Sequence, residues 1–355
     1  MHFNSLLVKD VRKETADTVS VAFEIPNHLK NDYQFIPGQY ITLKTTINNE
    51  DVRRAYSICS APHENELRVA IKQVPSGIFS TYANNELNIG DHLDVMQPTG
   101  HFHSTYKPDN QKRYLAFGAG SGITPLLSII KHVLQTEENS SFTLIYGNKD
   151  TDSIIFGKEL DKIKNKYPSR FNLQLVFSQE NRGIDAFYGR IDSEKLNIWN
   201  NLLFNVHQVD EYFMCGPEKM TEDIRNFLAS NNVDEHKVHF ELFHTSGKQK
   251  EVEVQDIPEA EKVNAQVKII VDDEEYDFEL KTEGMDILQA GVEAGIDLPF
   301  SCKGGVCCTC KAKLLEGTAN MTMNYSLLDE EVEAGYVLTC QAHPTSEKVV
   351  VSFDD

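Results

Sequence analysis

Cys302-Lys-Gly-Gly-Val-Cys307-Cys308-Thr-Cys310 gathers thiols in one tight loop, and a further thiol follows in Leu338-Thr-Cys340-Gln341. The C-x4-C-x2-C…C spacing of Cys302, Cys307, Cys310 and Cys340 is that of a [2Fe–2S] ligand set. Ligands that wrap a compact cluster need a loop whose backbone can turn sharply. Gly304 and Gly305 allow positive φ and let backbone N–H groups point at thiolate and sulfide. Such hydrogen bonds help to set a reduction potential. Structural zinc is the competing reading. It favours two CxxC-like pairs, and only Cys307 with Cys310 makes one. Cys308 falls at a spacing the pattern does not use and is assigned no ligand role.

Outward from this loop, residues 262–355 read as a small module. Ala265–Val271 and Glu275–Leu280 form a hairpin around Asp272-Asp273-Glu274. A helix is expected over Asp286–Ala294, stopping near Gly295, with strands through Lys311–Leu315 and Val349–Phe353. The module holds 7 basic and 18 acidic residues, a net of −11 out of −20 for the whole chain. Solubility accounts for this acidity, and so does a basic partner surface. The polar stretch His244–Glu261, with Gly247 and Pro258, reads as a linker.

Upstream of the linker the rhythm alternates strand and helix from Arg113. Tyr114–Phe117, Phe142–Tyr146, Leu173–Phe177 and Tyr212–Cys215 are short apolar strands, and helical periodicity fills the gaps at Pro125–Leu134, Lys158–Asn165 and Glu218–Asn231. That is the pattern of a parallel sheet. Gly118-Ala-Gly120-Ser-Gly122-Ile-Thr124-Pro125 follows the first of these strands and opens a helix. Glycines let the backbone approach a diphosphate, and a helix N-terminus offers free N–H groups to it. Pro125 suits the first helical turn.

Residues 1–107 read as all-β. Val19–Ile25, Gln39–Thr45, Arg54–Ile58 and Leu67–Lys72 alternate apolar with polar side chains between turns such as Pro37-Gly38, as in a small closed barrel. At 355 residues the chain is long enough for two or three domains. A formal charge of −20 makes nucleic acid and anionic membrane poor partners. The first twenty residues carry several charges and no long apolar run, so no signal peptide is expected. Seven cysteines without secretion favour a reducing compartment, and a cytoplasmic location is expected. The twelve histidines show no metal or triad spacing.

The cysteine loop resembles that of plant-type ferredoxins, and nearly the whole chain resembles the ferredoxin–NADP reductase superfamily. Arg54-Ala-Tyr56-Ser57 is similar to its R-x-Y-S flavin motif, and Gly77-Ile-Phe-Ser80 to its G-x-x-S diphosphate motif. The G-x-G-x-G spacing before Pro125, Cys215-Gly216-Pro217 and Glu241-Leu-Phe243 are similar to further superfamily motifs. Glu50–Cys59, Thr143–Asn148, Phe177–Glu180, Asn324–Leu327 and Gly335–Cys340 resemble the reductase subunits of di-iron oxygenases in aromatic catabolism. The resemblance implies a multidomain fold: an antiparallel β-barrel FAD domain over 1–107, then an α/β parallel-sheet NAD(P)H domain over 108–243. The linker over 244–261 would lead to an α+β β-grasp [2Fe–2S] ferredoxin domain over 262–355.

It also implies roles. Tyr56 would pack on the isoalloxazine, Ser57 lie near its redox-active edge, and Arg54 pair with the diphosphate. Gly77 and Ser80 would hold the FAD diphosphate, favouring FAD over FMN. Gly118, Gly120, Gly122, Thr124 and Pro125 would cradle the nicotinamide dinucleotide. Cys215 and Gly216 would lie beside the nicotinamide, and Phe243 either covers part of the flavin or is a core aromatic. In the loop Ser178–Arg182, Ser178 and Arg182 suit the 2′-phosphate of NADPH, while Glu180 suits the free ribose of NADH. NADPH is the expected donor. Electrons would pass from NADPH to FAD, to [2Fe–2S] and on to an oxygenase component. A di-iron monooxygenase is the expected acceptor, with a Rieske-type or other monooxygenase as the alternative. A redox-sensing iron–sulfur protein is the reading of a different class.

Overall fold

The structure, a computed structural model, describes residues 3–243 and 262–354. The expected linker over 244–261 lies wholly outside the described residues. The described residues gather into two compact units, one holding the two N-terminal sheets and the other built mainly from the C-terminal module.

The first sheet has six strands. They are β1 (Phe3–Thr15), β2 (Thr18–Glu24), β3 (Tyr40–Ile47), β4 (Glu50–Ser57), β5 (Leu67–Lys72) and β6 (His92–Met96). Their order is β4-β3-β6-β1-β2-β5. A bridge from Ile58 to Val69 and the bond from Cys59 N–H to Arg68 O, 2.9 Å, join the end of β4 to β5 and close the barrel. Leu6, Val8, Val21, Ile41, Leu43, Ile71 and Val95 fill its interior. Sequence reading names no strand in β1. Its register slips between Val8 and Asp10 and again between Lys13 and Thr15, and such bulges break the alternation that marks a strand. Helix α1 (Ile78–Asn85) packs on β5 and seals one side of the barrel with Phe79 and Ala83.

The second sheet is fully parallel, in the order β11-β10-β7-β8-β9. Its strands are β7 (Arg113–Ala119), β8 (Ser141–Asn148), β9 (Phe171–Phe177), β10 (Glu211–Cys215) and β11 (Val238–Glu241). Helices α2 (Ile123–Thr136) and α3 (Gly157–Lys166) cover one face, where Tyr114, Ala116, Leu144 and Phe213 point. Helices α4 (Ser193–Trp199) and α5 (Glu218–Ser230) cover the other, over Leu115, Phe117, Ile145 and Tyr212. Burial on both faces explains why these strands read as continuous apolar runs. Helix α4 is missed by periodicity because it is short and largely polar. The Asp192 side chain accepts from Lys195 N–H at its start, and the chain's lone tryptophan, Trp199, is fully buried at its end.

In the C-terminal unit β12 (Asn264–Val271) pairs antiparallel with β13 (Glu274–Lys281), and β14 (Lys311–Glu316), β16 (Tyr336–Leu338) and β18 (Lys348–Ser352) complete a sheet in the order β13-β12-β18-β14-β16. The hairpin turn is Asp272-Asp273, both left-handed, at φ 53° and 62°. Helix α6 (Ile287–Glu293), started by the Asp286 carboxylate accepting from Gln289 N–H, buries Ile287 and Leu288 in the same core. The short strands β15 (Ala319–Met321) and β17 (Ala342–Pro344) pair beside the cysteine loop. Three residues are too few for periodicity to reveal, so these last elements exist only by virtue of their partners. A five-residue helix, α7 (Asp329–Glu333), precedes β16. No helix among the described residues is long and apolar enough to cross a membrane.

Candidate functional site

At the carboxyl ends of β7 and β10 the parallel sheet reverses its winding direction, which is where open α/β sheets bind ligands. Gly118 is still strand, directly opposite Cys215 in the ladder. The backbone then makes a tight turn over Gly120–Gly122 before α2 begins at Ile123, so Thr124 and Pro125 fall in the first helical turn. Gly120 takes φ +53°, and no atom lies near the Cβ it lacks. Gly122 meets the opposite demand: a Cβ there would stand 2.0 Å from Cys215 O. The crossing of α2 over the end of β10 therefore requires glycine. Gly216 is less constrained, its missing Cβ 2.6 Å from the Met220 methyl and 3.1 Å from Ala119 Cβ. The Tyr146 hydroxyl donates to Gly120 O at 2.9 Å and holds the turn from the neighbouring strand. The Thr124 hydroxyl donates to Ser121 O, so its side chain closes the turn. Asn148, 7% exposed at the end of β8, has both amide atoms without a hydrogen-bond partner.

Cys215 is fully buried, and its thiol is pushed well above the ordinary range by that burial, with the Glu241 carboxylate adding to the effect. Glu241, at the end of β11, accepts a hydrogen bond from the Ser57 hydroxyl at 2.9 Å. Packing around this carboxyl raises it to about 7, against the opposing pull of Ser57. Glu241 is the site residue that sequence reading leaves unassigned. Its signal lies in the Glu241-Leu-Phe243 motif, but there attention falls on Phe243. The Phe243 ring is half-buried and packs against the core between the sheet and α2.

On the barrel, alternation puts Arg54 and Tyr56 on one face of β4 and Ser57, 4% exposed, on the other. The Tyr56 ring lies 5.6 Å from that of Phe79 on α1. Gly77 caps α1, leaving the first-turn N–H groups free of any side-chain cap. The buried Ser80 hydroxyl accepts from Val74 N–H at 3.2 Å and donates to Gly77 O at 3.3 Å, which shapes the turn before the helix. Arg54 donates to the Arg53 carbonyl.

Beyond β9 the Ser178–Arg182 loop is internally organised. The Glu180 carboxylate accepts from Thr151 N–H, Thr151 hydroxyl and Arg182 Nε, and these donors lower it to about 2. Arg182 is half-exposed and lies 4.3 Å over the Phe177 ring. The Ser178 hydroxyl donates to Asn148 O at 3.4 Å.

The four thiols of the C-terminal unit form two pairs. Cys302 and Cys307 sulfurs lie 3.2 Å apart, and the Cys310 and Cys340 thiols interact with each other. No group of three or more His, Cys, Asp or Glu side chains among the described residues converges on a single ion. Two thiol pairs fit a cluster of two irons better than one tetrahedral zinc. The Cys302 thiol is lowered chiefly by the hydrogen bond from Cys307, against burial that raises it and with help from the N–H groups of Gly304, Val306 and Cys307. Gly304 N–H reaches its sulfur at 3.3 Å. Of the two adjacent glycines only Gly305 is left-handed, at φ +70°, and its left-handed companion is Lys303, at +53°. Lys303 and Gly305, on either side of Gly304, are the two left-handed residues of the loop. Cys308 points away from the pairs and donates to Ser326 O at 3.3 Å.

Comparison with known proteins covers both units. Residues 5–104 match the oxidoreductase FAD-binding domain, 117–226 the oxidoreductase NAD-binding domain and 269–345 the 2Fe-2S iron-sulfur cluster binding domain. The chain is 43% identical to one of the subunits of 1,2-phenylacetyl-CoA epoxidase from Escherichia coli K12, covering 99% of this chain and 98% of that protein. It is 33% identical to the ferredoxin reductase component of 3-ketosteroid-9-alpha-monooxygenase from Rhodococcus rhodochrous, covering 98% and 96%. In fold it matches phthalate dioxygenase reductase with a TM-score of 0.59, at 20% identity, over 99% of this chain and 98% of that one.

Proposed function

The chain belongs to the ferredoxin–NADP reductase superfamily, in the branch with a C-terminal plant-type [2Fe–2S] ferredoxin domain, and on that premise we propose that it carries electrons from NADPH to the di-iron oxygenase of a phenylacetyl-CoA epoxidase. It is an electron-transfer oxidoreductase of the kind that serves oxygenases, using FAD, a nicotinamide cofactor and [2Fe–2S]. The narrower acceptor rests on one observation, the 43% identity over nearly the whole of both chains.

The flavin supplies the conversion of a two-electron hydride donor into single electrons. The residues bind and orient. Gly118, Gly120 and Gly122, with the free N–H groups at the start of α2, present donors to the dinucleotide diphosphate, and Thr124 and Pro125 shape that first turn. Asn148, with its unpartnered buried amide, completes the same crevice. Cys215 and Gly216 form its floor, and the neutral Cys215 thiol keeps charge away from the hydride path. Arg54, Tyr56 and Ser57, with Gly77 and Ser80 at the start of α1, hold FAD. Ser57 is oriented by Glu241, and Phe243 bounds the crevice. Cys302, Cys307, Cys310 and Cys340 hold the irons. We place the module boundaries at 1–107, 108–243, 244–261 and 262–355, and the protein in the cytoplasm.

Arg182 and Ser178 are assigned to the 2′-phosphate of NADPH. The exposed guanidinium, flattened on Phe177, supports this. The fixed Glu180 carboxylate beside it favours the second reading, NADH. The decisive experiment supplies the purified protein with either nucleotide, a phenylacetyl-CoA epoxidase oxygenase and phenylacetyl-CoA, and records oxygen uptake with product. Turnover driven by NADPH is expected. Absence of turnover there, with turnover alongside a Rieske oxygenase, would move the acceptor to that class.

A further inference from the structure

Cys340 is set in a turn closed by Gln341 N–H donating to Leu338 O at 2.9 Å. The Gln341 side chain then folds back over the ligand-bearing backbone. Its Nε2 donates to Lys303 O at 3.2 Å and to Cys340 O at 2.6 Å, and lies 3.7 Å from Cys340 Sγ. Its Oε1 accepts from the Thr322 hydroxyl at 2.7 Å. A hydroxyl donating to the oxygen leaves the nitrogen end facing the sulfur, so Thr322 sets which way the amide points. Thr322 is itself anchored, its N–H donating to Gln341 O at 2.9 Å. The side chain is also closely packed, since a Cβ on Gly305 would stand 3.3 Å from Gln341 Cγ.

Two separate segments carry the ligands. One is the loop with Cys302, Cys307 and Cys310, and the other is the turn with Cys340. Gln341 bridges them by a side chain, at the point where Lys303 is held in left-handed backbone. We propose that Gln341 is a positioning residue for the iron–sulfur group: oriented by Thr322, its carboxamide clamps the Cys340 turn to the Cys302 loop with one N–H and shares the other between Cys340 O and Cys340 Sγ, raising the reduction potential. The physical reason is electrostatic. An electron added to the cluster increases negative charge on the thiolates, so a donor aimed at sulfur stabilises the reduced state more than the oxidised one. The inference rests on the assignment of the four cysteines as ligands.

Gln341→Met keeps the length and packing but removes the donor, and Thr322→Val removes only the orienting hydroxyl. Iron and acid-labile sulfide per chain are measured first, in the wild type and both variants of the full chain. A wild type without either overturns the ligand assignment, independently of Gln341. With the cluster present, spectroelectrochemical titration is expected to show Gln341→Met about tenfold harder to reduce, a fall of about 59 mV for one electron. Thr322→Val should shift in the same direction and by less. Iron transfer to a chelator should be several-fold faster in Gln341→Met, as two unclamped segments separate more readily. If Gln341→Met fails to retain iron, the clamp is supported and Thr322→Val carries the potential measurement. Potentials equal to wild type in the variants that retain iron would overturn the proposal.

Discussion

Glycine serves opposite ends in the two halves of this molecule. In the parallel-sheet unit, Gly122 is needed because another backbone occupies the space of its side chain: the Cys215 carbonyl lies 2.0 Å from the missing Cβ. In the cysteine loop, Gly305 is needed chiefly for its φ of +70°, and its nearest neighbour, Met323 O, stands 3.0 Å from the missing Cβ. The first half builds its site from strand ends that must cross closely. The second builds its site from side chains that a turning loop must aim. Damage to the one should therefore be steric and spread through the fold, whereas damage to the other should stay local to the metal.

The largest expected effect separates the two halves outright. Cys340→Ser should abolish the cluster and all electron delivery to a one-electron acceptor, while NADPH still bleaches the flavin. Absorbance spectra and rapid-mixing kinetics read both, and loss of flavin reduction in a folded variant would break the separation. Next, Gly122→Ala should destabilise the N-terminal unit by about 3 kcal/mol and cripple flavin reduction, because a backbone carbonyl cannot swing aside as a side chain can. Gly120→Ala sharpens the contrast, with an open Cβ position and only the left-handed φ to strain, so a cost of about 1–2 kcal/mol is expected. Thermal melts of the two variants test the ranking.

Smaller again, Arg182→Ala should raise KM for NADPH about tenfold and leave KM for NADH nearly unchanged, by steady-state kinetics. Equal changes would remove Arg182 from the 2′-phosphate. The smallest effect concerns protons. The Glu241 carboxyl is raised from 4.5 to about 7 in the folded chain. The native state then binds more protons than the unfolded one between those values. Stability should accordingly fall as pH rises from about 4.5 through about 7, and level off above. Glu241→Gln should flatten this part of the pH–stability profile and remove a step near pH 7 from the rate of flavin reduction.

Legibility along the chain follows the range of the forces involved. The Cys302–Cys310 loop, the glycine loop after a buried strand and the Arg54–Ser57 motif are local, so a few consecutive residues display them, whereas Cys340 joins the pattern from 30 residues further on. Strands β8, β9 and β10 are legible because burial on both faces leaves unbroken apolar runs. Strand β1 is obscured by its two register shifts. Strands β15 and β17 are hidden because three residues carry no period. Phe243 draws the eye in its motif although Glu241 matters equally, since nothing local distinguishes a carboxylate that will be raised by packing from one left in water.

The residue order alone displayed the three-cysteine loop, the glycine loop and the runs of buried strand and helix, because each is written in a few consecutive residues, and the resemblance of those motifs to a known family carried the flavin and nicotinamide expectation. Only the tertiary structure decided that Ser57 meets Glu241 from 184 residues away. It alone brought Gly122 under Cys215, and Gln341 across to Lys303. Such meetings depend on the order in which strands lie in a sheet. That order is chosen by the packing of whole faces, and no short segment carries it.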